Sequence, residues 1–252
     1  MAIVRYVNSS SGLNVRDSAA GAKVTTLNNG DLMYDIPGVA NVTASLGGTS
    51  YVWVKVHYYK TGSSPEEGNG WVTKNNTTVV STTIPTKSNV LSSNSTLKQY
   101  EQLINARYIH DYLKDNGWSN NAIYAALGNM EVESYINPGK WQSTNDTSQG
   151  YGLVQWTPAT KYINWLASGE EKSDIDNQLD RILYEVENNL QWDSSKHSPA
   201  MSFSSYTTST KSCSVLAEYF VRCYERPANV SSKVAARQNN ATKWSTLIGY
   251  LQ

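Results

Sequence analysis

Phenylalanine is nearly absent from this 252-residue chain: there are two, against 17 Tyr and 8 Trp. Cysteine and histidine are as scarce, at two and three. These small numbers exclude reaction classes. A zinc peptidase or amidase needs two or three His or Cys ligands at set spacing, whereas His57, His110 and His197 are scattered and no His-Glu-x-x-His occurs. A thiol peptidase needs a cysteine beside a histidine, but Cys213 and Cys223 both fall in an apolar stretch of helical character. On one helix, ten residues separate two thiols by about 15 Å, too far for a disulfide. The reading is of two reduced, packed thiols and of chemistry with no metal or other cofactor.

A surplus of charge is missing too. Lys plus Arg and Asp plus Glu both total 21, and charged residues make up 17% of the chain, against roughly 25% in an average protein. Nucleic acid is held by a basic surplus or stripe, so no nucleic-acid partner is expected. No apolar run approaches the roughly 18 residues of a membrane span, so no membrane insertion is expected. Residues 1–7 carry no basic segment followed by an apolar one, which predicts synthesis in the cytoplasm without a signal peptide.

What is present is polar and uncharged. Ser, Thr and Asn number 76, and nearly every aromatic ring carries an O–H or N–H. Such rings suit half-wet surfaces, sugar faces among them. Residues 1–80 read as β structure: short alternating runs such as Tyr51-Val-Trp-Val-Lys-Val56 are broken by turn pairs such as Asn29-Gly30 and Gly47-Gly48. Residues 81–96 are rich in hydroxyls and read as a flexible linker. From residue 97 to 252 the period is helical. Tyr100, Leu103, Ile104, Tyr108, Tyr112 and Leu113 share one face, with Gly117 as the stop. Ser119 is placed to cap a second helix running to about Ser134, Thr157-Pro158 to open a third, and Ser173 to cap a fourth with Ile175, Leu179, Ile182, Val186 and Leu190 on its stripe. Two more helices are expected near 213–225 and 230–250. Residues 139–156 read as a loop or hairpin.

The second helix ends on two carboxyls. At 100° per residue, Glu133 falls within about 40° of Ala122, Ala126 and Asn129, while Glu131 lies on the opposite side and is expected in solvent. A half-buried carboxyl at a helix C-terminus is pushed towards its protonated form, which is what a general acid for glycosidic cleavage requires; the alternative is a Glu near a helix end that makes an ordinary surface hydrogen bond. Gly150-Tyr-Gly-Leu-Val-Gln-Trp156 adds close-approach glycines, an amide (Gln155) for a sugar acetamido group, and Tyr151 and Trp156 for stacking, or alternatively a hairpin rim with Leu153 and Trp156 buried. Asp146, in a polar loop, is either a solvated loop acid or the second carboxylate that activates water.

The run Leu127-Gly-Asn-Met-Glu-Val-Glu-Ser-Tyr-Ile-Asn-Pro-Gly-Lys-Trp-Gln142, with Gly150-Tyr-Gly-Leu-Val-Gln-Trp-Thr-Pro-Ala-Thr160, resembles the phage tail-lysozyme family. Asn105–Leu113 upstream and Tyr219-Phe-Val-Arg-Cys-Tyr-Glu-Arg-Pro227 downstream extend the likeness over residues 97–252. More distantly, Glu-Ser, Asn-Pro and Gly-x-Gly-x-x-Gln resemble goose-type lysozymes and soluble lytic transglycosylases. The resemblance implies that Glu133 is the catalytic acid, that Asp146 is a candidate for positioning water, and that Gly150, Tyr151, Gly152, Gln155, Trp156 and Trp141 flank the saccharide. Gly12-Leu-Asn-Val-Arg16 and Gly70-Trp-Val-Thr-Lys74 make residues 4–76 similar to the bacterial SH3-like cell-wall-binding domain, with Trp53, Trp71 and Tyr58 as possible stacking groups. Together they imply a small all-β SH3-like barrel (1–80), a linker (81–96) and a mostly α lysozyme-like domain (97–252). The implied protein is a phage endolysin that cuts the β-1,4 bond between N-acetylmuramic acid and N-acetylglucosamine. Its partner would be bacterial peptidoglycan, glycan at the helical domain and peptide at the SH3-like one, reached from the host cytoplasm after release. A transglycosylase giving 1,6-anhydro products, or a non-catalytic wall-binding or virion protein, are the alternatives.

Overall fold

A computed structural model describes residues 2–252. The chain forms two compact units. One runs to Thr83 and includes Lys98–Glu101 and Gly249–Gln252; the other comprises Ile84–Leu97 and Gln102–Ile248.

The first unit is an antiparallel sheet of eight strands: β1 (Val4–Val7), β2 (Leu13–Arg16), β3 (Lys23–Leu27), β4 (Leu32–Asp35), β5 (Val42–Leu46), β6 (Thr49–Lys60), β7 (Glu66–Thr73) and β8 (Thr77–Val79). Their order is β3-β2-β7-β6-β4-β1-β8, with β5 added to β6. The alternating side chains meet in one core of Val7, Leu13, Val15, Leu27, Met33, Val54, Val56, Tyr58 and Val72. Gly47 and Gly48 turn β5 into β6, pairing Val42–Leu46 with Thr49–Trp53 in a hairpin. Trp53 and Tyr58 are buried, and the Trp53 indole N–H donates to the Ala44 carbonyl at 3.0 Å. Neither is a surface stacking group; Trp71 is half-buried.

The second unit holds α1 (Gln99–Asp115, whose first residues count with the sheet), α2 (Asn120–Ser134), α3 (Thr160–Ile163), α4 (Ile175–Glu187), α5 (Phe203–Thr207), α6 (Cys213–Phe220), continued by a π-helical turn Val221–Glu225, and α7 (Val234–Gly249). Among the described residues, no helix is long and apolar enough to cross a membrane. The central element is α2. Ser119 caps it, accepting from the Ala122 N–H at 3.2 Å, and Ala122 through Met130 are all buried, as befits a helix covered on most sides.

Four details differ from the sequence reading. The α1 face that is buried runs through Leu103, Ala106, Ile109 and Leu113; Tyr108 and Tyr112 instead donate to Asp176 (2.6 Å) and Asp180 (2.5 Å) of α4. Thr157 caps nothing: its hydroxyl donates to the Gln155 carbonyl and α3 starts at Thr160. Asp174, not Ser173, caps α4, which ends before Leu190, an exposed residue. Finally, residues 84–97 are not a free coil. Asn105 exchanges two 2.8 Å hydrogen bonds with the Leu91 backbone. Asn137 accepts from the Ser93 N–H and donates to the Ser95 carbonyl. Lys87 pairs with Asp174 and Asp176 at 2.7 and 2.9 Å. The segment is a strap on the helical unit.

Candidate active site

A cleft of about 640 Å³ opens at the C-terminal end of α2. Glu133 lines it together with Gln142, Val154–Thr157, Lys161 of α3, Gln191, and the run Tyr224–Ala228 that leaves the π-helical turn.

Local chemistry explains how Glu133 comes to sit there. The helix stops at Tyr135, whose φ of 58° is left-handed and whose N–H returns to the Glu131 carbonyl. Ser134, the residue after the acid, is fully buried and donates to the Leu153 carbonyl at 2.9 Å. The helix end is thereby tied to the glycine-rich loop. That loop is held in turn by Gln178 of α4, which accepts from the Leu153 N–H (2.8 Å) and donates to the Pro138 and Lys172 carbonyls. Gly152, at φ +81°, is where the side chain of Gln178 passes: a Cβ there would lie 2.6 Å from its Oε1.

On its other side Glu133 meets α7. Its Oε1 accepts from Nη2 of Arg237, and the two side chains are 20% and 3% exposed. Glu131 is not in open solvent: it pairs with Lys243 of α7 at 2.5 Å and is 13% exposed, less than Glu133 itself. Both carboxyls are covered because α7 packs on α2 at Gly128, where a Cβ would come within 2.6 Å of the Arg237 carbonyl and the Ala241 N–H nitrogen. A helical wheel of α2 alone carries no trace of α7.

Of the anticipated sugar contacts, Gln155 and Trp156 line the cleft, while Gly150, Tyr151, Gly152 and Trp141 do not. Gln155 has a left-handed φ of 49°, and its amide N–H groups are used on the Lys140 and Gly152 carbonyls. What it offers a ligand is its oxygen. Trp156 is only 2% exposed and Tyr151 1%. Their rings form a buried series with Trp141 and Tyr162: Trp141–Tyr151 centroids are 4.4 Å apart and Trp156–Tyr162 4.7 Å. These rings shape the wall of the cleft and are not free faces for stacking. Asp146 is not among the lining residues. Its Oδ1 accepts from the Ser148 N–H and hydroxyl at 3.0 and 2.6 Å, which holds its carboxyl below the ordinary range.

Two acids that composition and spacing left without a role stand in or behind this wall instead. Glu185 of α4 is buried and accepts from the Trp156 indole (2.9 Å), the Arg181 guanidinium (3.0 Å) and the Tyr224 hydroxyl (2.5 Å). Burial pushes its carboxyl up, and those donors oppose the push. Glu225 lies in the cleft wall, and burial first, then the negative charge of Glu133, drives its carboxyl well above the ordinary range. Glu225 belongs to the Tyr219–Pro227 run and ends the π-helical turn, a feature common at functional sites, but only the folded chain puts it in the cleft wall with Glu133. Among the described residues no group of three or more His, Cys, Asp or Glu is arranged to hold a metal ion.

Residues 104–248 match the phage tail lysozyme family. Morphogenesis protein 1 of Bacillus phage B103 is 48% identical over 162 residues, which cover 63% of this chain and 43% of that protein. The chain thus spans less than half the length of that relative. The family match takes in the whole of α2 to the end of α6, the glycine-rich loop and most of α7, and with more than half its length so matched, the chain belongs to the phage tail lysozyme family.

Proposed function

We propose that the helical unit is a peptidoglycan hydrolase that cleaves the β-1,4 bond between N-acetylmuramic acid and N-acetylglucosamine, with Glu133 as general acid. The observation that carries this reading is Glu133 itself. It is the acid of the Glu-Ser pair, at the last turn of α2, on the wall of a cleft of about 640 Å³. That volume is in the range of small-molecule sites. Glu133 protonates the glycosidic oxygen as its bond to C1 breaks, and water supplies the hydroxyl that ends on C1. Gln155 offers an acceptor oxygen to an acetamido N–H, and Lys161 and Arg226 give the cleft two cations for the carboxylates of muramic acid or the peptide stem. The β unit is proposed as the SH3-like wall-binding part, which raises the effective concentration of the enzyme at its polymer. Mass spectrometry of digested glycan strands tests the reaction. New reducing muramic acid ends support hydrolysis, and 1,6-anhydro ends would replace it with transglycosylation.

The relative's name favours a second reading of where the enzyme works. A domain shared with a phage morphogenesis protein fits an enzyme carried in the particle, as against an endolysin made in the host cytoplasm and released at lysis. Antibody detection of the chain in purified particles separates them: its presence there supports the particle, and its confinement to the lysate supports the endolysin.

A further inference from the structure

Glu225 is the acid in the cleft wall that the proposed reaction leaves unused. It ends the π-helical turn, between Tyr224, bound to Glu185, and Arg226, whose φ of 51° is left-handed. The residue reaches the cleft, yet its Oε1 is shut off from solvent and has no hydrogen-bond partner. The charged groups facing it are Glu133 from α2, Arg237 from α7, Glu185 from α4 and its neighbour Arg226. Neither arginine donates a hydrogen bond to that Oε1, and the Arg237 Nε is itself buried without a partner. Arg237 gives Nη2 to Glu133 and Nη1 to the Lys233 carbonyl, and Arg226 gives Nη1 to the Gln191 and Cys223 carbonyls.

An ionised carboxylate with a solvent-excluded, undonated oxygen is strongly disfavoured. Two carboxyls lining one cleft, with the Arg237 guanidinium bonded to only one of them, are a pair that resists double ionisation. We propose that Glu133 and Glu225 share one acidic proton, Glu225 being a positioning residue that acts on the reaction through Glu133. The pair gives that proton to the glycosidic oxygen as the C1–O bond breaks. When water adds its oxygen to C1, its released proton returns to the pair. The upward push on the Glu225 carboxyl by Glu133 fits this sharing. The proposal rests on the reading of Glu133 as the acid.

Two measurements on the full chain test it. In the first, carboxyl resonances of 13C-glutamate-labelled protein are followed against pH, with Glu225→Gln identifying the Glu225 signal. Glu225 should titrate above the ordinary carboxylate range, and its midpoint should fall by about one pH unit or more in Glu133→Gln. A Glu225 midpoint in the ordinary range, or one unmoved in Glu133→Gln, overturns the pairing. In the second, the pH profile of wall cleavage is compared between wild type and Glu225→Gln, whose amide matches the protonated acid in shape. The alkaline limb should move to lower pH with KM unchanged, because the cleft has lost its second acid, and Glu225→Asp should recover part of the shift. Superimposable profiles overturn the positioning role. A wild type that cleaves no wall would sink the reading of Glu133, while the titration still decides whether the two carboxyls are paired.

Discussion

Arg237 of α7 donates to Glu133 of α2 across 104 residues of sequence, so the acid at the cleft is oriented by the last helix of the chain. Replacing Arg237 by Ala leaves the Glu133 carboxylate and the Lys233 carbonyl without that donor. Breaking a largely buried pair from one side costs about 3 kcal/mol. Urea unfolding of Arg237→Ala should show a loss of that order, and Arg237→Lys a smaller one; an unchanged midpoint would mean that the pair contributes nothing.

The same helix pair depends on a missing side chain. Gly128→Ala puts a methyl 2.6 Å from backbone atoms of α7, which cannot swing away as a side chain could. A loss of about 1–3 kcal/mol is expected, accompanied by lower lytic activity as Arg237 and Glu133 separate. Thermal unfolding and wall clearing on the same preparation check both; wild-type values for each would refute the close approach.

The buried Glu185 and the half-buried Glu225, whose Oε1 is shut off from solvent, give stability a pH dependence of definite sign. Their carboxyls are raised in the folded protein, so between the unfolded and folded pKa values the folded state holds more protons. Their contribution is then fully present below the unfolded carboxyl range and is lost as pH rises through the folded values. The melting temperature should fall from mildly acid towards neutral and alkaline pH, and the slope should flatten in Glu225→Gln. A slope equally steep in the variant would show that Glu225 ionises as freely folded as unfolded.

Asp146 is predicted to be dispensable for the chemistry. Its carboxylate serves Ser148 inside its own loop and does not line the cleft. Asp146→Asn should clear walls within about twofold of wild type, since a residue outside the reacting groups alters no transition-state contact. A loss of a hundredfold would instead return Asp146 to the role of second carboxylate.

Much of the architecture was legible in residue order. The change from period 2 to period 3.6, the Ser119 cap and the Gly47-Gly48 turn depend on neighbours in sequence, and the structure has them. What was hidden depends on distant partners. Residues 81–96 look like linker because their hydroxyls and amides are polar, but Asn105 and Asn137 bind the backbone of Leu91, Ser93 and Ser95 from 14 and 42–44 residues away. Glu131 looks exposed until α7 supplies Lys243. The excess of Tyr and Trp over Phe has the same origin. Tyr206, Tyr219 and Trp192 are buried with their polar atoms on the Ala122, Pro199 and Met201 carbonyls, so many of these rings fasten the interior and do not face sugar. Glu133 was legible because its motif is local; Glu225 and Glu185 were not, because only folding brings three acids from α2, α4 and the π-helical turn towards one cleft.

The most direct test of Glu133 as the acid is the rate at which new reducing ends appear on purified peptidoglycan, measured for wild type and Glu133→Gln at matched thermal stability. Loss of a general acid removes about 10²–10⁴-fold in rate, so wild type should generate reducing ends and Glu133→Gln should fall by at least about a hundredfold. Equal rates in the two proteins would contradict the assignment.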